Sequence, residues 1–190
     1  MFYNCRSLVT APNILATTLA NSCYDHMFYG CTSLIIPPVL SITTLANSCY
    51  YSMFEGCTSL VTPPNLPATI LYQSCYANMF KGCTSLTTVP SLSITTLNTS
   101  CCSSMFEGCT SLTAPCPLPA TTLANNCYKN MFKDCIGIKI SSTLTTDYAI
   151  PYRIPSIGTG TDATTTMTDM FTGTTGPWSG TPTINTTYYL

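Results

Sequence analysis

Met27-Phe28-Tyr29-Gly30-Cys31-Thr32-Ser33-Leu34 returns as Met53-Phe54-Glu55-Gly56-Cys57-Thr58-Ser59-Leu60, as Met79-Phe80-Lys81-Gly82-Cys83-Thr84-Ser85-Leu86 and as Met105-Phe106-Glu107-Gly108-Cys109-Thr110-Ser111-Leu112. Met-Phe also stands at Met1 and Met131, so the 26-residue spacing is unbroken. Self-similarity at a fixed period of this length is the signature of a repeat array, in which each unit buries its apolar face only against its neighbours. The full unit reads M-F-x-G-C-T-S-L-x-x-x-P-x-L-x-x-T-x-L-x-x-x-C-Y-x-x, with Asn4 and Asp134 at the Gly position. Five complete copies and the start of a sixth are visible.

Two periodicities alternate within each copy. Leu19, Cys23, Met27 with Phe28, Cys31 and Leu34 fall at steps of three or four, which predicts an amphipathic helix or helical turn. Thr17 and Thr18 stand where N-caps are wanted, and Gly30 where a left-handed C-terminal residue is wanted. Beyond the Gly, Leu34-Ile35-Ile36-Pro37-Pro38-Val39-Leu40 is too short and too proline-rich to continue a helix, and reads as a short extended strand and a turn. One strand plus one helix in a unit of this length falls within the leucine-rich window. The expected fold class is therefore an α/β repeat solenoid, a leucine-rich-repeat-like right-handed coil of short strands and short helices.

The unit M-F-x-G-C-T-S-L, followed by Pro, Leu and T-x-L-A-N-S-C-Y, resembles the BspA-like leucine-rich repeats of bacterial surface proteins and related phage proteins. The resemblance covers about Met1 to Ile140. Such repeats commonly carry A-F-x-x-C-x-S-L with a shorter period, so Met before Phe and the longer proline-containing connection are departures. The resemblance implies a non-enzymatic module for adhesion, surface attachment or host recognition, and it transfers no catalytic residue.

The repeats are expected to occupy residues 1–140, with a C-terminal cap and a Thr/Gly-rich appended segment over 141–190. Ile136, Ile138 and Ile140 alternate as in a half-buried strand and replace T-S-L at the end of the array. From Pro151 the chain turns to Gly, Thr and Pro, including Gly158-Thr159-Gly160, yet Met170-Phe171-Thr172-Gly173 echoes the repeat, after a short helix expected at Thr164 to Asp169. The aromatic content at Trp178 and Tyr188-Tyr189 favours a small appended motif over a disordered tail.

Composition narrows the function classes. Only 7% of the residues are charged, with six Lys+Arg against seven Asp+Glu, so there is no basic excess to neutralise phosphates. Nucleic acid and anionic membrane surfaces are disfavoured partners, and no window is apolar enough to cross a bilayer. The start, Met1 to Arg6, shows no signal peptide and opens in the middle of a unit. An uncapped first coil is expected to meet upstream repeats or another chain, with self-association as one outcome.

Eleven of the thirteen cysteines occupy two repeat positions. Cys5, Cys31, Cys57, Cys83, Cys109 and Cys135 form one ladder; Cys23, Cys49, Cys75, Cys101 and Cys127 form the other. Packed helices at about 8 to 10 Å stand beyond disulfide reach, so buried thiols are expected, and neither metal nor cofactor is implied. The only histidine, His26, shares its position with Ser52, Asn78, Ser104 and Asn130 and reads as exposed and variable. Tyr24, Tyr50, Tyr76 and Tyr128 follow the cysteines and read as core.

No catalytic grouping stands out, because hydrolase chemistry needs a nucleophile with its base or two facing carboxylates. The candidate binding face is the strand side, built from Val9, Ile35, Val61, Thr87 and Thr113 together with Thr10, Ile36, Thr62, Thr88 and Ala114. The expected function is a non-enzymatic binding or adhesion module of a cell-surface or virion protein, extracellular, recognising glycan or protein on a host or cell surface. The alternative is a structural protein that stacks end to end or docks on a larger assembly.

Overall fold

In a computed structural model, which describes residues 2–157 and 165–190, the repeat period appears as a stack of coils joined edge to edge by backbone hydrogen bonds. The segment that the spacing predicts as a helix is not one. Amide hydrogens there alternate between two destinations. Those of Cys23, Asp25, Met27, Tyr29 and Cys31 reach back three residues, to the carbonyls of Ala20, Ser22, Tyr24, His26 and Phe28, at 3.1 to 3.3 Å. Those of Ser22, Tyr24, His26, Phe28 and Gly30 cross to Asn47, Cys49, Tyr51, Met53 and Glu55 of the next coil, at 2.8 to 3.0 Å.

The backbone explains why no helix forms. Every fourth residue is left-handed: Ser22, His26 and Gly30 have φ of 56°, 53° and 67°, and Ser48, Ser52 and Gly56 repeat the pattern at 53°, 49° and 75°. A run of right-handed residues is required for bonds that reach back four residues, and one left-handed residue per turn ends each run before it starts. The result is a chain of consecutive tight turns whose remaining donors face the neighbouring coil. Among the described residues there is no helix, so the helix-and-strand α/β architecture is overturned.

The extended side of the coil also falls short of a continuous sheet. Thr10 and Ile36, Leu66 and Leu92, and Ile70 and Thr96 pair as isolated parallel bridges. Pro37, Pro38, Pro63, Pro64 and Pro90 lack the amide hydrogen that a longer ladder needs. The described strands are β1 (Thr122–Leu123), β2 (Pro151–Arg153), β3 (Ser156–Ile157) and β4 (Thr187–Tyr189); β1 pairs parallel with β3, and β2 antiparallel with β4.

The core is a set of columns that run along the stack. Phe2, Phe28, Phe54, Phe80, Phe106, Phe132 and Phe171 lie ring over ring, with centroids 5.5 to 5.6 Å apart and planes within 14°. Met53, Met79, Met105 and Met131 are fully buried beside them, as are Leu34, Leu60, Leu86, Leu112 and, at the same place, Ile138. Stacked rings suit the quadrupoles of aromatic pairs, and Phe28, Phe54, Phe80, Phe106 and Phe132 are each fully buried between the rings of the coils on either side.

Phe171 continues the column even though it stands farther along the chain from Phe132 than each earlier phenylalanine does from the one before it. Tyr128, Phe132 and Asp134 donate to Thr166, Met170 and Thr172 just as earlier coils donate to their successors, so the Met170-Phe171 echo forms a further level. Beyond it, Tyr152 and Trp178 meet the Phe171 ring edge-on at 5.9 and 6.1 Å, and Tyr188 packs on Trp178 at 4.4 Å. The pairing of β2 with β4 sets Tyr152 opposite Tyr188 and closes this end. The short helix expected at Thr164 to Asp169 is replaced by turns over 165–169; Met1, Gly158-Thr159-Gly160 and Thr164 lie outside the described residues.

The three isoleucines of the sixth copy do not share a strand face. Ile138 and Ile140 are fully buried, while Ile136 is 55% exposed, because Ile138 donates back to Cys135 and the chain turns there. Gly137 sits inside that turn against the preceding coil: a Cβ on it would stand 2.5 Å from the Leu112 carbonyl oxygen. Only glycine allows the two backbones to come so close.

Candidate functional site

Coil stacking brings the residues of the candidate strand face together. Val9, Thr10, Ile35, Ile36, Val61, Thr62, Thr87, Thr88, Thr113 and Ala114 are all exposed. Backbone bonds set their register: Ile35 and Ile36 donate to the Val9 carbonyl, Ala11 donates to Ile36, and Thr87 donates to Val61. Neighbouring residues such as Ile35 and Ile36 both face solvent, at 53% and 54%, where a regular strand would turn one of them inward. The face grades along the stack from β-branched apolar groups at Val9, Ile35, Ile36 and Val61 to hydroxyls at Thr87, Thr88 and Thr113. Lys139, bridged to Thr175, ends its uncharged stretch.

The thirteen cysteines are all free thiols, and eleven are buried. Helix separation is not what keeps them unpaired, since the coils are bonded directly and facing backbones stand about 4.7–4.9 Å apart. Along the first ladder each thiol after Cys5 has another task. The Sγ atoms of Cys31, Cys57, Cys83, Cys109 and Cys135 donate to the carbonyls of Phe2, Phe28, Phe54, Phe80 and Phe106 one coil away, at 2.9 to 3.1 Å. Burial pushes the Cys49 thiol up to about 11, and Cys57, Cys127 and Cys135 up to about 12, which keeps them protonated and unreactive at neutral pH. No group of three His, Cys, Asp or Glu side chains is placed to hold a metal among the described residues.

Tyr50, Tyr76 and Tyr128 are buried, and desolvation raises their hydroxyl pKa values. Cys102 interrupts this column between Tyr76 and Tyr128 and is itself buried. The hydroxyls of Tyr50 and Tyr128 lack a hydrogen-bond partner, as does the Ser52 hydroxyl.

The position of His26 is not the exposed, variable one that its residue types suggest. Ser52 is fully buried and Ser104 nearly so; what the position requires is a left-handed backbone, which His, Ser and Asn supply here at φ of 49° to 56°. His26 itself lies in a surface group of aromatic rings that sequence reasoning passes over. Tyr3 stacks on Tyr29 at 4.9 Å with planes 5° apart. His26 is tilted against Tyr29 at 5.3 Å and against Tyr51 at 5.5 Å. Its Nδ1 meets the Asp25 carboxylate, and the Asn78 amide donates to the Tyr51 hydroxyl at 3.0 Å. The signal was in the letters: Tyr3 and Tyr29 share one repeat position, Asp25 and Tyr51 another, and the register of the repeat makes them neighbours.

Farther along the same face, Glu55, Lys81, Glu107 and Lys133 follow Tyr29 in its column, and Lys81 pairs with Glu107 at 3.3 Å. Such a half-buried surface pair contributes about 0–1 kcal/mol. The face is therefore aromatic at one end and charged at the other.

The chain matches no protein-family model, no curated protein and no solved structure.

Proposed function

We propose that this chain is a non-enzymatic binding module that engages a glycan or protein on a host or cell surface through the face bearing Val9, Ile35, Val61, Thr87 and Thr113, in the setting of a bacterial surface or a virion. The observation that carries the reading is the continuous exposure of uncharged, β-branched residues in register across five coils. A contiguous apolar patch left in water is the usual mark of an interaction surface. Its rigid spacing, set by backbone bonds between coils, lowers the ordering cost of meeting an extended partner. The likeness of the repeat to BspA-like units supports the same class of function.

Immobilised protein challenged with separate polysaccharide and protein fractions of bacterial surfaces tests this. Retention of a partner is expected, with a loss of about tenfold or more on Val61→Lys with Thr87→Lys, because two ammonium groups would have to be desolvated at the contact. Both residues are exposed, so the stack is left intact. No retained partner, or equal retention by the double variant, would contradict the reading.

A further inference from the structure

The aromatic group around His26 is not something the fold requires. At the position of Tyr29 the later coils carry Glu55, Lys81, Glu107 and Lys133, and at the position of Tyr51 they carry Ala77, Ser103 and Lys129, with the same backbone bonds. Neither position needs a ring to build a coil. Yet in the first coils three tyrosines and the chain's single histidine meet at the surface, with centroids 4.9 to 6.4 Å apart. Tyr3 is 55% exposed, and the Asp25 and His26 side chains 39% and 36%.

We propose that Tyr3, His26, Tyr29 and Tyr51 form a platform that binds an uncharged, pyranose-based glycan. Aromatic side chains present apolar ring area with a polar tip at low conformational cost, the combination that a sugar's C–H face and its hydroxyl rim call for. The rim groups here are varied: the Asp25 carboxylate accepts, the Asn78 amide donates, and the tyrosine hydroxyls do both. The Asp25 carboxylate and, next after Tyr29 in its column, the Glu55 carboxylate repel phosphate, sulfate and uronate and leave neutral sugars favoured. The tilt of His26 between Tyr29 and Tyr51 spreads the rings over three successive coils, which suits a chain of sugars more than a single one.

The inference rests on the reading of the chain as a binding module, but not on the strand face. Affinity electrophoresis through gels containing a neutral β-glucan, a neutral mannan, or polygalacturonate as the anionic comparator separates the two. Retardation by at least one neutral polymer is expected and none by polygalacturonate. Tyr29→Glu with Tyr51→Ser introduces residue types that the same positions already carry in Glu55 and Ser103, so folding is preserved, and retardation should weaken by about tenfold or more. Tyr29→Phe with Tyr51→Phe keeps the rings and should retain binding to within about threefold, which a purely hydrogen-bonded site would not. No retardation by either neutral polymer, retardation by polygalacturonate alone, or equal retardation of the Glu/Ser variant overturns the platform. If neutral-polymer binding is lost on Val61→Lys with Thr87→Lys and kept on the Glu/Ser variant, the platform falls while the strand-face reading stands.

Discussion

The thiol of Cys57 donates to the carbonyl of Phe28 in the neighbouring coil at 3.1 Å, and that carbonyl also receives the backbone N–H of Cys31 at 3.1 Å. The same pair of donors meets the carbonyls of Phe54, Phe80 and Phe106. In the ladder from Cys31 to Cys135 the cysteine is thus a small buried side chain with one donor that points across the stack, a task that neither alanine nor valine performs.

Replacing Cys83 with Ala should therefore cost about 1–2 kcal/mol, the sum of a lost sulfur in a close-packed core and a lost weak hydrogen bond. Urea unfolding read by tyrosine fluorescence measures it. No change in midpoint would show that the thiol is mere filler.

Alkaline pH should destabilise the fold. Burial raises Cys49 from the ordinary value of 9.0 to about 11, and Cys57, Cys127 and Cys135 to about 12. The unfolded chain gives up these protons from pH 9 upward while the folded chain holds them. Stability is then full below the unfolded value and is lost as pH rises toward the folded values. Unfolding midpoints should be flat up to about pH 8 and fall steadily from there toward pH 11. A midpoint that holds or rises over that range would contradict the burial of the thiols.

The phenylalanine column should be the costliest place to cut. Phe80 is fully buried between Phe54 and Phe106, each 5.6 Å away. Phe80→Ala should cost about 3–5 kcal/mol. Coils contact only their neighbours, so amide hydrogen exchange in the variant should speed up most around residues 54–106 and least near Phe171. A uniform loss of protection would argue against a stack of locally coupled coils.

The left-handed positions give an opposite pair of outcomes. Ser48 has a φ of 53° and Ser100 one of 55°. Ser48→Gly should be neutral or slightly stabilising, and Ser48→Val should cost about 1–3 kcal/mol, since a β-branched side chain crowds that conformation. Thermal unfolding distinguishes them; equal midpoints for the two variants would show that the left-handed conformation of Ser48 does not bear on stability.

How much of this was legible in the sequence follows from which forces write themselves into residue types. Burial does: the Phe, Met, Leu and Tyr columns could be picked out from spacing, because a fixed period puts equivalent side chains at equivalent depths. The left-handed glycine did as well, at Gly30 and its equivalents. The helix did not survive because steps of three and four also arise when tight turns follow one another every four residues. The feature that separates the two cases lies in Ser22 and His26, whose residue types tolerate positive φ without announcing it as glycine does. An extended stretch could be read from Ile35-Ile36 and Thr87-Thr88, but the prolines that shorten its ladder to single bridges weigh more than the β-branched residues beside them. The aromatic platform was missed because Tyr3, His26, Tyr29 and Tyr51 are not adjacent in sequence, and only the stacking of one coil on the next brings their rings together.

Far-ultraviolet circular dichroism of the purified chain distinguishes stacked turns bonded between coils from helical repeats. A spectrum without the helical double minimum, lost cooperatively on heating, is expected. A strong helical double minimum would contradict the stacked turns, and would return the Leu19-to-Gly30 segment of each unit to the helix that its spacing suggested.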